Sequence, residues 1–238
     1  MKIIHYIYVA AALFCAAALF SCNGDKDDDP DAKLLKEIRT PDGDYTRFEY
    51  DKKNRIAKVT SYSYYQQNLN YVHTLAYSGS GALTRYGDVV ITASGPKQLT
   101  FVDDNGSYIF DLNDDNTLAK LSYSKLSILK SEKNYRYENG ILTKIITRLS
   151  FDPLVEVSKE ISYDSGHSPF LNCKTPKWWL IWQFEDIAGC MVNNAAREDW
   201  DWGEVAGPIV YSYEYDKDNF PIRKISENYT LYYYTYNK

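Results

Sequence analysis

Phe48-Glu49-Tyr50-Asp51-Lys52-Lys53-Asn54-Arg55-Ile56-Ala57-Lys58-Val59 reads as one complete β-hairpin: a strand, a polar turn and a returning strand. Tyr213-Glu214-Tyr215-Asp216-Lys217-Asp218-Asn219-Phe220-Pro221-Ile222-Arg223-Lys224-Ile225 repeats the pattern. Looser copies run from Tyr77 to Arg85, from Phe110 to Lys120 and from Tyr135 to Lys144. In all five, a Gly or Asn closes the turn and a basic residue follows four positions later. A type I turn followed by a left-handed residue makes a common hairpin, and Gly, Asn and Asp adopt that conformation most cheaply. Asp51 and Asp216 stand where a short acceptor caps such a turn. The basic residue then lies on the polar face, within reach of a cross-strand carboxylate such as Glu49 or Glu214. These residues build hairpins and do not by themselves form a binding site.

Working outward, the chain from Lys33 onward is rich in Tyr, Val, Ile and Thr between polar turn clusters, the signature of short strands. Tyr211, Tyr213 and Tyr215 alternate with polar residues, and so do Tyr232, Tyr234 and Tyr236 with their neighbours, which places tyrosine on one face of each strand. The expected fold is all-β: an antiparallel meander of hairpins forming a barrel or a strongly curved sheet, with one short helix near 176–188. Closure hides the edges that a long meander would otherwise expose. A barrel embedded in lipid shows an outward apolar band. Arg55 and Lys58, and Lys144 and Arg148, instead place charge within strands, so the expectation is a barrel standing in water and not a pore.

The Tyr50-Asp51 turn followed by Asn54-Arg55-Ile56 resembles the tyrosine-aspartate repeats of surface-displayed bacterial proteins. Together with Leu19-Phe20-Ser21-Cys22 near the N-terminus and the tail Tyr215-Asp216-Lys217-Asp218-Asn219-Phe220-Pro221, the chain resembles a family of Bacteroides lipoproteins. That family carries a porin-like domain of unknown function. The resemblance covers about residues 33–238 and implies an antiparallel barrel, with no activity and no site residues attached.

Residues 1–32 read as an address and a tether. Lys2 is followed by an almost unbroken apolar run from Ile3 to Phe20, then Ser21-Cys22 and the acidic stretch Asp25 to Asp29. This is a secretory signal over 1–21, with a cleavage site that resembles a lipobox. Cys22 is then the lipidated N-terminus, 22–32 an acidic tether and 33–238 a single β-rich domain. Acyl chains on Cys22 would anchor the protein, each buried methylene contributing about 0.8 kcal/mol. The acidic run resembles an export signal to the outer face of the outer membrane.

Residues 22–238 carry 26 basic and 32 acidic side chains, a balance of −6. With no basic cluster, nucleic acid is not an expected partner. His73 and His167 are the histidines left after processing, so no metal site and no cofactor are expected. Cys173 and Cys190 form an even pair in an oxidising compartment, either a disulfide or two buried thiols.

All five tryptophans fall within 167–207, at Trp178, Trp179, Trp182, Trp200 and Trp202. Thr175-Pro176 opens the expected helix and Gly189 stops it. Its residues are apolar nearly all round, so it is expected to be buried. Trp178, Trp179 and Trp182 either plug the barrel or line a cavity for an apolar ligand. Residues 191–203 read as a long loop in which Trp200 and Trp202 offer flat faces, while Arg197, Asp199 and Asp201 supply hydrogen bonds, a combination that suits a glycan.

No catalytic motif is present: Gly-x-Ser-x-Gly, a phosphate-cradling glycine loop and Cys-x-x-Cys are all missing. Asp111 to Ser122 begins like a calcium loop but ends on serine where a bidentate Glu is required. The sequence therefore points to a non-catalytic, membrane-tethered binding module for glycans. Its rivals are a carrier of an apolar molecule and an adhesive domain that meets other proteins.

Overall fold

The computed structural model describes residues 31–66, 68–150, 155–188, 191–201 and 207–237. Lys33 to Lys238 forms one compact unit. Its first eight strands are β1 (Leu35–Arg39), β2 (Tyr45–Tyr50), β3 (Ile56–Ser63), β4 (Asn68–Tyr77), β5 (Leu83–Tyr86), β6 (Val89–Gly95), β7 (Gln98–Asp103) and β8 (Gly106–Leu112). The next eight are β9 (Leu118–Lys125), β10 (Ile128–Glu138), β11 (Ile141–Leu149), β12 (Val155–His167), β13 (Asn193–Asp201), β14 (Pro208–Tyr215), β15 (Pro221–Ser226) and β16 (Tyr229–Tyr236). Each strand pairs antiparallel with its sequence neighbour, and β1 pairs with β16 to close the barrel. The expected all-β barrel is thus what forms, and it leaves no free edge.

The repeated turns explain how the meander is built. Asn54, Gly81, Asn116, Gly140 and Asn219 all have positive φ, between 55° and 87°. At Asp51 the main chain closes on itself, Asp51 N–H donating to Arg55 O at 2.8 Å and Asn54 N–H to Asp51 O at 3.1 Å. The Asp216 turn makes the same pair of bonds, at 2.9 and 3.1 Å. Asp51 Oδ1 accepts from Lys53 N–H and Arg55 N–H, and Asp216 Oδ1 accepts from Asp218 N–H and Phe220 N–H. The expected cross-strand pairs form too, Lys58–Glu49 at 2.7 Å and Arg223–Glu214 at 2.9 Å.

The repeat tyrosines have a second task. Tyr50, Tyr77, Tyr137 and Tyr163 sit where the ladder register slips, and a bulge re-aims a side chain. Their hydroxyls donate to the carbonyls of Leu35, Ile56, Leu118 and Leu142 on the preceding strand, at 2.7–2.8 Å. Tyr213 and Tyr236 do the same to Ala195 and Pro221. The tyrosines thus stitch one rim of the barrel, strand to strand.

A barrel of sixteen strands is wide enough to enclose a channel. Here the connection from β12 to β13 enters the lumen and fills it. It carries two short helices, α1 (Lys177–Gln183) and α2 (Glu185–Ala188). Phe170, Trp179, Leu180 and Ile181 on this plug are almost fully buried. Trp178 packs tilted on Phe110 and Trp182 packs edge-on against it, at 4.9 and 5.0 Å between centroids, and Trp179 meets Tyr86 at 5.5 Å. The single helix expected over 176–188 is therefore two, because the chain breaks at Phe184 (φ −135°, ψ 43°). The break lets the Phe184 ring pack on Phe48 and Phe170 at 5.3 and 5.4 Å.

Outside the barrel the chemistry is reversed. Arg47–Glu37, Lys144–Glu160 and Arg148–Glu156 pair across the wall at 2.5–2.8 Å. These charged pairs face outward and aromatic rings pack much of the lumen, unlike a lipid-spanning barrel around a water-filled channel. Among the described residues no helix is long and apolar enough to cross a membrane.

Candidate functional site

Residues 191–201 are not the expected loop, since Asn193–Asp201 is strand β13 in mid-sheet. The pattern was concealed because its inward position 198 carries a carboxylate where an apolar residue is the rule. Period two then splits the expected glycan site. Trp200 lies on the inner face with Glu198, while Arg197, Asp199 and Asp201 lie on the outer face. Arg197 and Asp199 are spent on one another, at 2.6 Å. Trp202 lies outside the described residues, as do Cys22 and Cys190. Among the described residues Cys173 is a free, buried thiol, and burial pushes its pKa up to about 11. Trp178 and Trp179 pack as core, and Trp182 is partly buried against it. The Trp179 Nε1–H has no acceptor among the described residues.

What the fold assembles instead is a cluster of charges inside the barrel, where α2 meets the wall. Lys159 on β12 is 2% exposed, and its Nζ lies 3.2 Å from Glu185, 3.4 Å from Asp186 and 3.5 Å from Glu198. Lys133 on β10 reaches Glu185 at 2.8 Å, and Tyr135 donates to the same carboxylate oxygen at 3.3 Å. Glu198 accepts from Trp200 Nε1–H at 3.1 Å and from the Tyr211 hydroxyl at 3.3 Å. Lys224 on β15 donates to the Asp186 main-chain oxygen at 3.2 Å, and its Nζ sits 3.8 Å from the Tyr211 ring centroid. The break at Phe184 is what points Glu185 and Asp186 at these lysines.

Burial would depress Lys159, but the carboxylates of Glu185, Glu198 and Asp186 outweigh it and hold its pKa above the ordinary lysine value. Glu185 is pushed up by burial and pulled down further by Lys133 and Lys159, so it remains ionised. Lys224 contacts a carbonyl and rings and, among the described residues, pairs with no carboxylate, so burial outweighs the more distant Asp186 and Glu198 and its pKa falls to about 8. Above that value the unfolded chain binds a proton that the folded barrel has released, so Lys224 contributes stability that grows with pH between about 8 and 10. Cys173 and the buried tyrosines, held protonated by the fold, contribute in the opposite sense. The urea midpoint of Lys224→Met relative to the parent, measured near pH 7 and near pH 9.5, isolates the lysine: the variant's advantage at pH 7 should shrink at pH 9.5, and a difference that does not change with pH would refute the assignment.

Beside the cluster lies a cavity of about 190 Å3 lined by Lys133, Ile145, Thr147, Leu149, Val157, Lys159, Glu185 and Trp200. Its lining is mostly apolar and includes the flat Trp200 ring together with the Lys133–Glu185 pair. Lys159 Nζ lies 4.9 Å from the Trp200 ring centroid, which fixes the indole from one side. Sequence reasoning found Trp200 and missed Lys133, Lys159 and Glu185 as a group. One signal was available: Lys159 shares strand parity with Val157 and Ile161, so it occupies a position that alternation reserves for an apolar residue. A larger cleft of about 440 Å3 lies at the opposite rim, between the Asp115–Thr117 turn and Lys174 to Lys177. Among the described residues no group of three or more potential metal ligands occurs.

Comparison with protein families finds none that matches the chain, and comparison with curated proteins finds no relative. Solved structures do resemble it. A porin-like protein from Bacteroides vulgatus aligns at TM-score 0.42 and 12% identity, over 76% of this chain and 98% of that one. A porin-like protein from Bacteroides uniformis aligns at TM-score 0.38 and 13% identity, over 85% of this chain and 96% of that one. TcdB2-TccC3 aligns at TM-score 0.34 and 10% identity, over 78% of this chain and 10% of that chain. The porin-like group named from the sequence is thus represented among the neighbours, while lipidation and the tyrosine-aspartate repeat form no part of those descriptions. With TM-scores below 0.5, none of these likenesses supports a statement about function.

Proposed function

We propose that this protein is a non-catalytic binding module of the cell envelope, held by acyl chains on Cys22, which takes a small ligand at Trp200. The cavity beside Trp200 is the observation that carries this reading. A sugar ring fits its chemistry: a C–H face packs on the indole, and hydroxyls meet Lys133, Glu185 and Thr147. About 190 Å3 suits one ring and no more, which points to a terminal residue of a glycan rather than the middle of a chain. The rival carrier of an apolar ligand loses support, because the plug occupies the lumen that such a ligand would need.

The test is a titration of Trp200→Phe and Trp200→Ala proteins against the parent with mono- and oligosaccharides, followed by calorimetry. Saturable heat in the parent, weakened in Trp200→Phe and lost in Trp200→Ala, is expected. Equal binding by all three would remove the site, and no sugar binding in the parent would remove the ligand class. Lipidation is tested separately, by the mass of the membrane-extracted protein and its Cys22→Ser variant.

A further inference from the structure

The β9–β10 turn breaks the rules that the other hairpins follow. Leu126 and Ser127 both take positive φ, 52° and 62°. Such two-residue turns favour Asn, Asp and Gly, and bulky residues avoid them. The equivalent turn between β15 and β16 places Glu227 and Asn228 there, at φ 48° and 71°. Leu126 is also 87% exposed, with Ile128 and Leu129 exposed beside it. This leucine is therefore in a position unfavourable both to its backbone and to its side chain. Six consecutive residues, Lys125-Leu126-Ser127-Ile128-Leu129-Lys130, are all exposed.

On one side the ladder with β8 ends at the Ser107–Ser124 pair, and on the other the ladder with β11 ends at Ser131–Leu149, so Lys125 to Lys130 stand outside both ladders. Lys125 and Lys130 bracket the apolar trio and pair with no carboxylate among the described residues. Lys58, Lys120 and Lys144 on the wall all do so.

We propose that this hairpin is a wedge that enters the surface of a bilayer containing anionic lipid. Leu126, Ile128 and Leu129 supply the apolar tip. Lys125 and Lys130 stand at headgroup level, their stems lying along the acyl boundary and their ammonium groups meeting negative charge. The wedge stands on the hairpin's own geometry and does not depend on the sugar site.

The test places an environment-sensitive fluorophore on Ser127→Cys, in the full chain with Cys15, Cys22 and Cys190 replaced by serine. A second protein carries it on Lys217→Cys, in a turn at the opposite rim. The apolar N-terminal segment brings both to vesicles alike, so the fluorophore reports on its own position. With phosphatidylcholine–phosphatidylglycerol vesicles, the probe at 127 should shift to the blue and be quenched by acyl-brominated lipid. The probe at 217 should not change. Omitting phosphatidylglycerol, or combining Lys125→Glu with Lys130→Glu, should weaken the shift several-fold. Leu126→Asn guards against misfolding, since asparagine suits this turn: with the fluorophore still at 127, it should raise the urea midpoint and yet reduce the blue shift and quenching. A probe at 127 that stays in water on bound vesicles, or a Leu126→Asn protein that inserts as the parent does, would overturn the wedge. Shielding at 127 that requires added protein and no lipid would overturn it in favour of a protein partner.

Discussion

Lys159→Ala is expected to destabilise the barrel by about 3–5 kcal/mol, the range for removing one partner from a buried ion network. The lysine is 2% exposed and Glu198 scarcely more, so the substitution leaves the glutamate buried with hydrogen bonds from Trp200 and Tyr211 but no cation in contact. Glu185 keeps Lys133 and stays paired. Combining Lys159→Met with Glu198→Gln should recover part of the loss, because the amide still accepts from both donors while neither charge remains. Urea unfolding of the three proteins at one pH gives the comparison. A Lys159→Ala protein as stable as its parent would mean that water, and not Lys159, satisfies these carboxylates.

Trp179→Ala should cost a comparable amount, about 3–5 kcal/mol, through the cavity it opens in the plug. Trp179 is fully buried and touches Tyr86 on the wall and Phe184 within the plug, so its loss loosens both attachments. Trp179→Phe should cost clearly less. It keeps an aromatic ring in place and removes an N–H that has no acceptor among the described residues, a burden of about 1–3 kcal/mol in a buried group. Calorimetric melting of the two variants separates packing from polarity. If phenylalanine and alanine cost the same, the indole N–H is satisfied in solution and the packing account is incomplete.

The hairpin turns were legible in the sequence because their signal is local. Asn54 and Asn219 must supply the left-handed residue, and Asp51 and Asp216 the acceptor, within four or five positions of chain. Closure was legible only as an inference about edges, and strand number was not, since weak hairpins such as β5–β6 carry little alternation. Strand β13 was misread because Glu198 is tolerable inward only when Lys159, on a strand read separately, faces it. The same long-range pairing concealed the cavity: Trp200 was found by residue type, but Lys133, Glu185 and Lys159 come from three distant elements. The helix break at Phe184 was hidden for a related reason, being set by rings on β2 and by lysines on β10 and β12. Arg197, Asp199 and Asp201 were chosen for proximity in sequence to Trp200, which in a strand is the arrangement that parts neighbours to opposite faces.

The pairing of β1 with β16 also has a meaning in time. Leu35 and Tyr236 are ladder partners at opposite ends of the folded unit, so the seam cannot form until the ribosome has made the last strand. Until then every growing intermediate carries an unpaired strand at its leading edge and an incomplete wall around the aromatic plug. Contacts this distant along the chain slow folding. Shortening the chain by the eight residues of β16 therefore removes the seam rather than trimming an end.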